Sequence, residues 1–249
     1  MKFSIFFLLI ISITAGCKND PLGNIKIQGK QIKIDQVYYP DSSINRFILP
    51  YKEELRDEIN TVLCYSPRTL TRTEKDFESA LGNIYADICY KKGDSIFFSE
   101  TGKNIDFALF NYGGIRTVIP KGNVTVGNIF ELMPFENKLV VVELTGTKTL
   151  ELFNYLKESK KAHPISGLRL IMNDENFENI LIQKEPFDLE KNYYILTHDY
   201  LQHGGDRMTF FKKPVSLYST SYKVRDVIID YLAEIDTLHA FTDGRFVKI

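Results

Sequence analysis

Hydrophobic positions recur along this chain on two periods, one helical and one alternating. Residues 50–62 carry Leu55, Ile59 and Val62 at helical spacing, downstream of Asp41, Ser42 and Ser43, which are suited to cap a helix start. A first helix is therefore predicted over 50–62. A second is predicted over 74–90, where Phe77, Leu81, Ile84, Tyr85 and Ile88 share one side and Gly93 stands as a stop. Gly82 inside that helix implies close packing or contact with a loop. Apolar periodicity after Gly146, to about Leu156, predicts a third helix, and residues 221–233 with Val224, Val227, Ile228 and Tyr231 predict a closing one. The alternation around Gly29 in 25–34 reads as short strands or a hairpin. The runs 105–109, 138–144, 168–172, 193–197 and 215–218 read as strands. Strands and helices mix without a regular βαβ rhythm. The expected fold class is therefore α+β: a single domain over residues 25–249, with a mixed β-sheet flanked by helices.

The first residues fall outside this pattern. Lys2 precedes a mostly apolar run over 3–13, then Thr14, Ala15, Gly16 and Cys17. That run is short for a membrane span. A basic start, a short apolar stretch and small residues before a cut describe a secretory signal over 1–16. A Cys at the cut resembles a bacterial lipobox, with Thr14 where Leu is commonest. Lipid on Cys17 would anchor the mature chain to a membrane, on a periplasmic or cell-surface face, with residues 17–24 as a tether that includes Pro21 and Gly23. An ordinary cleaved signal and an uncleaved N-terminal helix are the alternatives.

At 249 residues, 44% hydrophobic and 25% charged, the chain has the composition of a globular protein with a sizeable core. Its 31 Lys+Arg against 32 Asp+Glu leave a net charge of −1, so no long-range field draws in nucleic acid, although local Arg groups suit a small anion. Beyond Cys17, Cys64 and Cys89 stand in apolar surroundings and read as buried small hydrophobes; two positions alone do not argue a disulfide.

The sharpest features are two Gly-Gly turns. Gly113 and Gly114 follow the strand at 105–109 and are flanked by Asn111 and Arg116, an amide and a guanidinium. Positive φ at such glycines would let a ligand approach the main chain, and the planar fork of Arg suits a phosphate or carboxylate. The second turn, Gly204 and Gly205, follows the strand at 193–197 and is flanked by Tyr200 and Asp206. A carboxylate there accepts paired bonds from vicinal hydroxyls, as in a ribose. Each turn taken alone also reads as a tight connection whose polar residues satisfy the backbone.

Together with Leu81, Gly82, Asn83, Ala86 and Asp87, the stretch 127–135, Leu144, Thr145, Gly146, Ser166, Gly167 and Leu168, these turns give co-ordered motifs across roughly residues 40 to 235. In this the sequence resembles the C-terminal domain of the 5′-nucleotidase family. That family pairs an N-terminal two-metal phosphoesterase domain with a C-terminal domain that clamps a base between two aromatic rings. The resemblance implies Phe135 and Tyr200 as the two walls, Asn111 on the base edge, Arg116 on the phosphate or ribose side, and Asp206 on the ribose hydroxyls. Plain core packing is the other reading of Phe135 and Tyr200. Tyr112 replaces the first Gly of the family's triplet, Tyr200 stands where Phe is usual, and Arg207 where Gly is commoner. The family's basic residue ahead of the Leu81 motif has only Arg72 nearby.

A two-metal hydrolase needs a dense set of Asp, His and Asn ligands. This chain has 4 His, namely His163, His198, His203 and His239, and neither an Asp-x-His nor a Gly-Asn-His motif. His198 and His203 lie near Asp199 and Asp206, but their spacing matches no ligand pattern. No catalytic residue, metal site or cofactor is therefore expected on this chain. The expected role is a nucleotide- or nucleoside-recognising component that works in trans with a separate metallophosphoesterase lipoprotein carrying the divalent metal pair. A stand-alone nucleoside-binding lipoprotein without catalysis, and an interaction protein with a degraded pocket, are the other readings.

Overall fold

The computed structural model describes residues 28–35, 39–174 and 176–249. Ile48–Ile249 forms one compact unit, and the described residues before it belong to another. The signal, Cys17 and the tether lie outside the described residues. Residues 28–35 form no strand and are exposed, so the hairpin expected over 25–34 is absent from its described part.

Helix α1 (Ser42–Ile59) begins earlier than periodicity implies, because Asp41 Oδ1 accepts from the backbone of Ser43 and Ile44 at 2.8 and 3.1 Å. It buries none of its side chains and ends before Val62, which opens β1 (Val62–Ser66) instead of closing the helix. Helix α2 (Ala80–Thr101) is capped by the Ser79 side chain and stopped by Gly102 at φ 70. Gly93 does not stop it. A Cβ there would come within 2.8 Å of the Leu196 methyls, so Gly93 lets the helix lie close on the sheet. Gly82 packs near the loop at Ala162 and Pro164, as its position implies.

After α2 come β2 (Phe107–Leu109), β3 (Gly122–Thr125), α3 (Val126–Leu132), β4 (Lys138–Thr145), α4 (Gly146–Ser159) and β5 (Ile165–Ser166). They are followed by β6 (Leu168–Met172), β7 (Phe177–Ile182), β8 (Glu185–Pro186), β9 (Asn192–His198) and α5 (Asp199–Gln202). β10 (Ser216–Lys223), α6 (Val224–Ala233) and β11 (Phe246–Lys248) complete the chain. Residues 221–223, expected in the closing helix, continue β10.

The fold is α+β with mixed sheets flanked by helices. A five-stranded sheet runs β10-β4-β9-β2-β5, parallel only between β9 and β2. A four-stranded sheet runs β11-β6-β7-β8, and β1 pairs with β3. Alternation along β4 sends Leu139 and Val141 into a core with α2, α3 and α6, and Val142 and Leu144 into a second core with α4 and the smaller sheet. Cys64 and Cys89 are free and buried in the first core. Gly167, at φ 75, is the single residue between β5 and β6, where the chain leaves one sheet for the other. Its missing Cβ would sit 2.8 Å from the Asp106 carbonyl.

The topology places three segments at one end of the central sheet. β2 and β9 are parallel neighbours, so the turns after them emerge side by side. β4 runs antiparallel to β9 with Leu139 opposite His198, so the loop entering β4 arrives at the same end.

Candidate functional site

Asn111 follows β2 and is buried. Its Oδ1 lies 3.1 Å from His198 Nε2, and its Nδ2 donates to Asp206 Oδ2 at 2.6 Å. His198 ends β9 and caps α5: its Nδ1 accepts from Leu201 N–H at 3.4 Å, so the ring proton sits on Nε2 and is donated to Asn111. Burial pulls the His198 pKa down to about 4, so the ring is neutral at pH 7. This bond fixes which way the Asn111 amide faces. Asp206 closes the chain of bonds by accepting the Tyr200 hydroxyl on Oδ1 at 3.0 Å, while its carbonyl accepts the Tyr155 hydroxyl at 2.9 Å. These partners hold Asp206 at φ 51, a left-handed conformation that a non-glycine residue adopts only when its surroundings impose it.

Between the two turns and the loop entering β4 lies a cavity of about 660 Å³. Its lining holds Asn111, Gly113, Gly114, Arg116, Phe135, Tyr200 and Asp206, together with Pro134, Glu136, Asn137 and His198. All the predicted site residues except Gly204 and Gly205 therefore meet at one opening. Phe135 and Tyr200 are 41% and 46% exposed, which sets both rings apart from the buried aromatics of the core. Arg116 Nη1 donates to the Gly113 carbonyl at 3.3 Å, and its guanidinium carbon lies 5.9 Å from the Phe135 ring centre.

The glycines play roles other than those expected. Neither Gly113 nor Gly114 takes positive φ; both sit in a 3₁₀ turn, Tyr112–Gly114. Gly114 is needed for space, because its Cβ would meet Asn111 Oδ1 at 2.8 Å, while at Gly113 the nearest atoms are an ordinary 3.4 Å away. Gly204 has φ 89, and Gly205 lies under the Tyr200 ring, whose Cε1 would be 2.3 Å from an added Cβ. Gly205 thus makes room for Tyr200 and Gly204 for the Lys212 side chain, and neither glycine lines the cavity.

Sequence reasoning misses several contributors. His198 reads there only as a metal ligand or a solvated turn residue, yet it is buried behind Asn111. Its place at the end of an apolar strand is the available signal. Glu136 accepts from Lys223 and Arg225, which hold its carboxyl down at about 2, and Arg225 stacks over Phe130 at 4.2 Å. Asn137 Nδ2 donates to Asp199 Oδ1 at 2.9 Å. Arg72 is committed to the first turn: it donates to the carbonyls of Tyr112 and Ile115 and lies 4.3 Å over the Tyr112 ring. His203 Nδ1 is 2.7 Å from the Asp199 carbonyl. Among the described residues no three His, Cys, Asp or Glu side chains are placed to hold a metal ion.

What the arrangement offers is a cavity whose lining holds two exposed rings, an oriented amide, a carboxylate and a guanidinium. Residues 59–213 match the family described as 5′-nucleotidase, C-terminal domain. An apyrase of Tabanus yao is 24% identical over 243 residues, covering 89% of this chain and 44% of the apyrase. A cell wall protein of Listeria monocytogenes, Lmo0130, is 31% identical over 154 residues, covering 55% of this chain and 19% of that protein. Among solved structures, the 5′-nucleotidase precursor of Thermus thermophilus superposes with a TM-score of 0.70 at 27% identity, over 84% of this chain and 44% of that one. The chain thus spans less than half the length of each of these relatives. With the family matched over most of the compact unit and the fold shared with a 5′-nucleotidase, the chain belongs to the 5′-nucleotidase C-terminal domain family.

Proposed function

We propose that this chain recognises a nucleotide or nucleoside and serves as the recognition component of a 5′-nucleotidase-type hydrolase in nucleotide catabolism, with the metal-dependent phosphoester chemistry supplied in trans. The observation that carries the reading is the single cavity joining Phe135, Tyr200, Asn111, Arg116 and Asp206. Its volume suits a small ligand, for which sites run from about 300 to 1,000 Å³. A base inserted between the two rings gains about 1–3 kcal/mol per stacking face, largely independent of its identity. The oriented Asn111 amide would read the base edge, Asp206 would accept the ribose hydroxyls, and Arg116 would hold the phosphate.

Support for a partner comes from α1. Ile48, Leu55 and Ile59 on that helix, and Val62 just beyond it, are all exposed, an apolar stripe of the kind a second protein covers. The divalent metal pair would belong to that partner, a separate metallophosphoesterase lipoprotein. The basic and apolar N-terminus ending at Cys17 supports export and lipid anchoring, and the similar Lmo0130 is a cell wall protein. Among the described residues no helix is long and apolar enough to cross a membrane.

Calorimetric titration with adenosine and AMP tests the recognition step. Saturable binding that falls about 5- to 150-fold in Phe135→Ala and in Tyr200→Ala is expected from the stacking energies. Absence of binding by the parent protein would refute the reading for this chain alone.

A further inference from the structure

A second cavity, of about 540 Å³, shares Gly113 and Asp206 with the first. Its other walls are Tyr112, Tyr155, Ser159, Lys161, His163 and Arg207. We propose that this cavity binds an oxyanion of the phosphate class, held by Lys161 and Arg207.

The charges favour it. Neither Lys161 nor Arg207 forms an ion pair among the described residues, so two cations against the one carboxylate of Asp206 leave the cavity wall with an excess of positive charge. The one carboxylate at its wall, Asp206, has its two oxygens engaged by Asn111 and Tyr200. His163 also lines the cavity, and its Nδ1 accepts the Tyr112 N–H at 3.1 Å, which fixes the turn that carries Gly113. The backbone agrees, since Arg207 sits at φ 63, where glycine is the unstrained choice. A left-handed arginine beside a lysine-lined cavity costs conformational energy, which points to a use for its guanidinium. The inference rests on these residues and not on the reading of the first cavity.

The test is titration of the full chain with inorganic phosphate, alongside Arg207→Gly, Lys161→Gln and the first-cavity variant Arg116→Ala. Each of the first two variants should weaken phosphate binding by about tenfold or more, the loss of one charge-assisted contact. Arg207→Gly should also keep or raise the melting temperature, because glycine adopts that φ freely, so its loss of binding would not reflect misfolding. Loss confined to Arg116→Ala would place the anion in the first cavity, whose phosphate side Arg116 is proposed to hold. Adenosine and AMP separate the sources of the anion. If Arg207→Gly weakens AMP and spares adenosine, the cavity takes a nucleotide's phosphate; if it weakens only inorganic phosphate, the cavity takes the free anion. No phosphate binding by the parent, binding unchanged in both cavity variants, or binding lost only in Arg116→Ala would overturn the proposal. Phosphate binding without adenosine binding, and with AMP bound no more tightly than phosphate, would overturn the proposed function and leave this inference standing.

Discussion

Two adjacent glycines in the same 3₁₀ turn should behave oppositely when replaced by alanine. At Gly114 the new methyl would stand 2.8 Å from Asn111 Oδ1, while at Gly113 it would meet Asn111 Nδ2 and Asp206 Oδ2 at 3.4 Å, a normal contact. The amide oxygen is the end of a side chain and could swing away, so the cost of Gly114→Ala is not the overlap itself but what Asn111 gives up. It would lose the bond to Asp206 and the bond from His198. His198 is 1% exposed, so its Nε2–H would be left buried and unmatched, at about 1–3 kcal/mol, and the lost Asp206 bond adds about 1 kcal/mol. Against this, either substitution gains about 0.4–1 kcal/mol by stiffening the unfolded chain. Gly114→Ala should therefore destabilise by about 2–3 kcal/mol, and Gly113→Ala should be neutral or slightly stabilising. At about 2–4 °C per kcal/mol for a domain of this size, the two variants should melt roughly 5–12 °C apart. Urea denaturation at pH 7, with matching m-values required, measures the difference. Equal stabilities would show that Asn111 is not held by His198 and Asp206, and would remove the basis on which its amide is said to be oriented.

Stability should also fall as the pH drops below 6.5. His163 and His198 are held near pKa 4 by burial, against about 6.5 in an unfolded chain, so between those values the unfolded state binds more protons. Their contribution, on the order of 3 kcal/mol each, is complete above pH 6.5 and lost on acidification toward pH 4. Unfolding free energies that stay flat between pH 6.5 and 5 would contradict it. Gly205→Ala should displace the Tyr200 ring, weakening nucleoside binding as far as Tyr200→Ala does; calorimetry on both variants makes the comparison, and full affinity in Gly205→Ala would show that the ring is not held from below. Gly93→Ala should destabilise by about 1–3 kcal/mol through overpacking against Leu196, a loss read by denaturant unfolding; an unchanged midpoint would return Gly93 to an incidental role.

Where periodicity has a long window and one buried face, sequence and structure agree. Residues 168–172 form β6 as expected, and the strands expected at 138–144 and 193–197 each gain only their flanking residues. The misses have a common physical origin in partners distant along the chain. Gly93 reads as a helix stop because glycine is a poor helix former, but the side chain that requires its absence of a Cβ is Leu196, over a hundred residues away in sequence. The strands β3 and β11 are too short to carry alternation, and β1 follows directly on a helical pattern that reads through Val62; they exist through pairing, β11 with β6 and β1 with β3. The site shows the same division. Both Gly-Gly turns are visible in the sequence because each follows an apolar run, yet the reason for the glycines is not. Positive φ is a local property, and only Gly204 of the four has it. At Gly114 and Gly205 the requirement is set by Asn111 and Tyr200. His198 is the clearest instance. As the last residue of a buried strand its ring must find partners for both nitrogens, and it finds them in Leu201 and Asn111. The parallel pairing of β9 with β2 brings the second of these within reach, so the sheet that buries the histidine also delivers the amide that it orients.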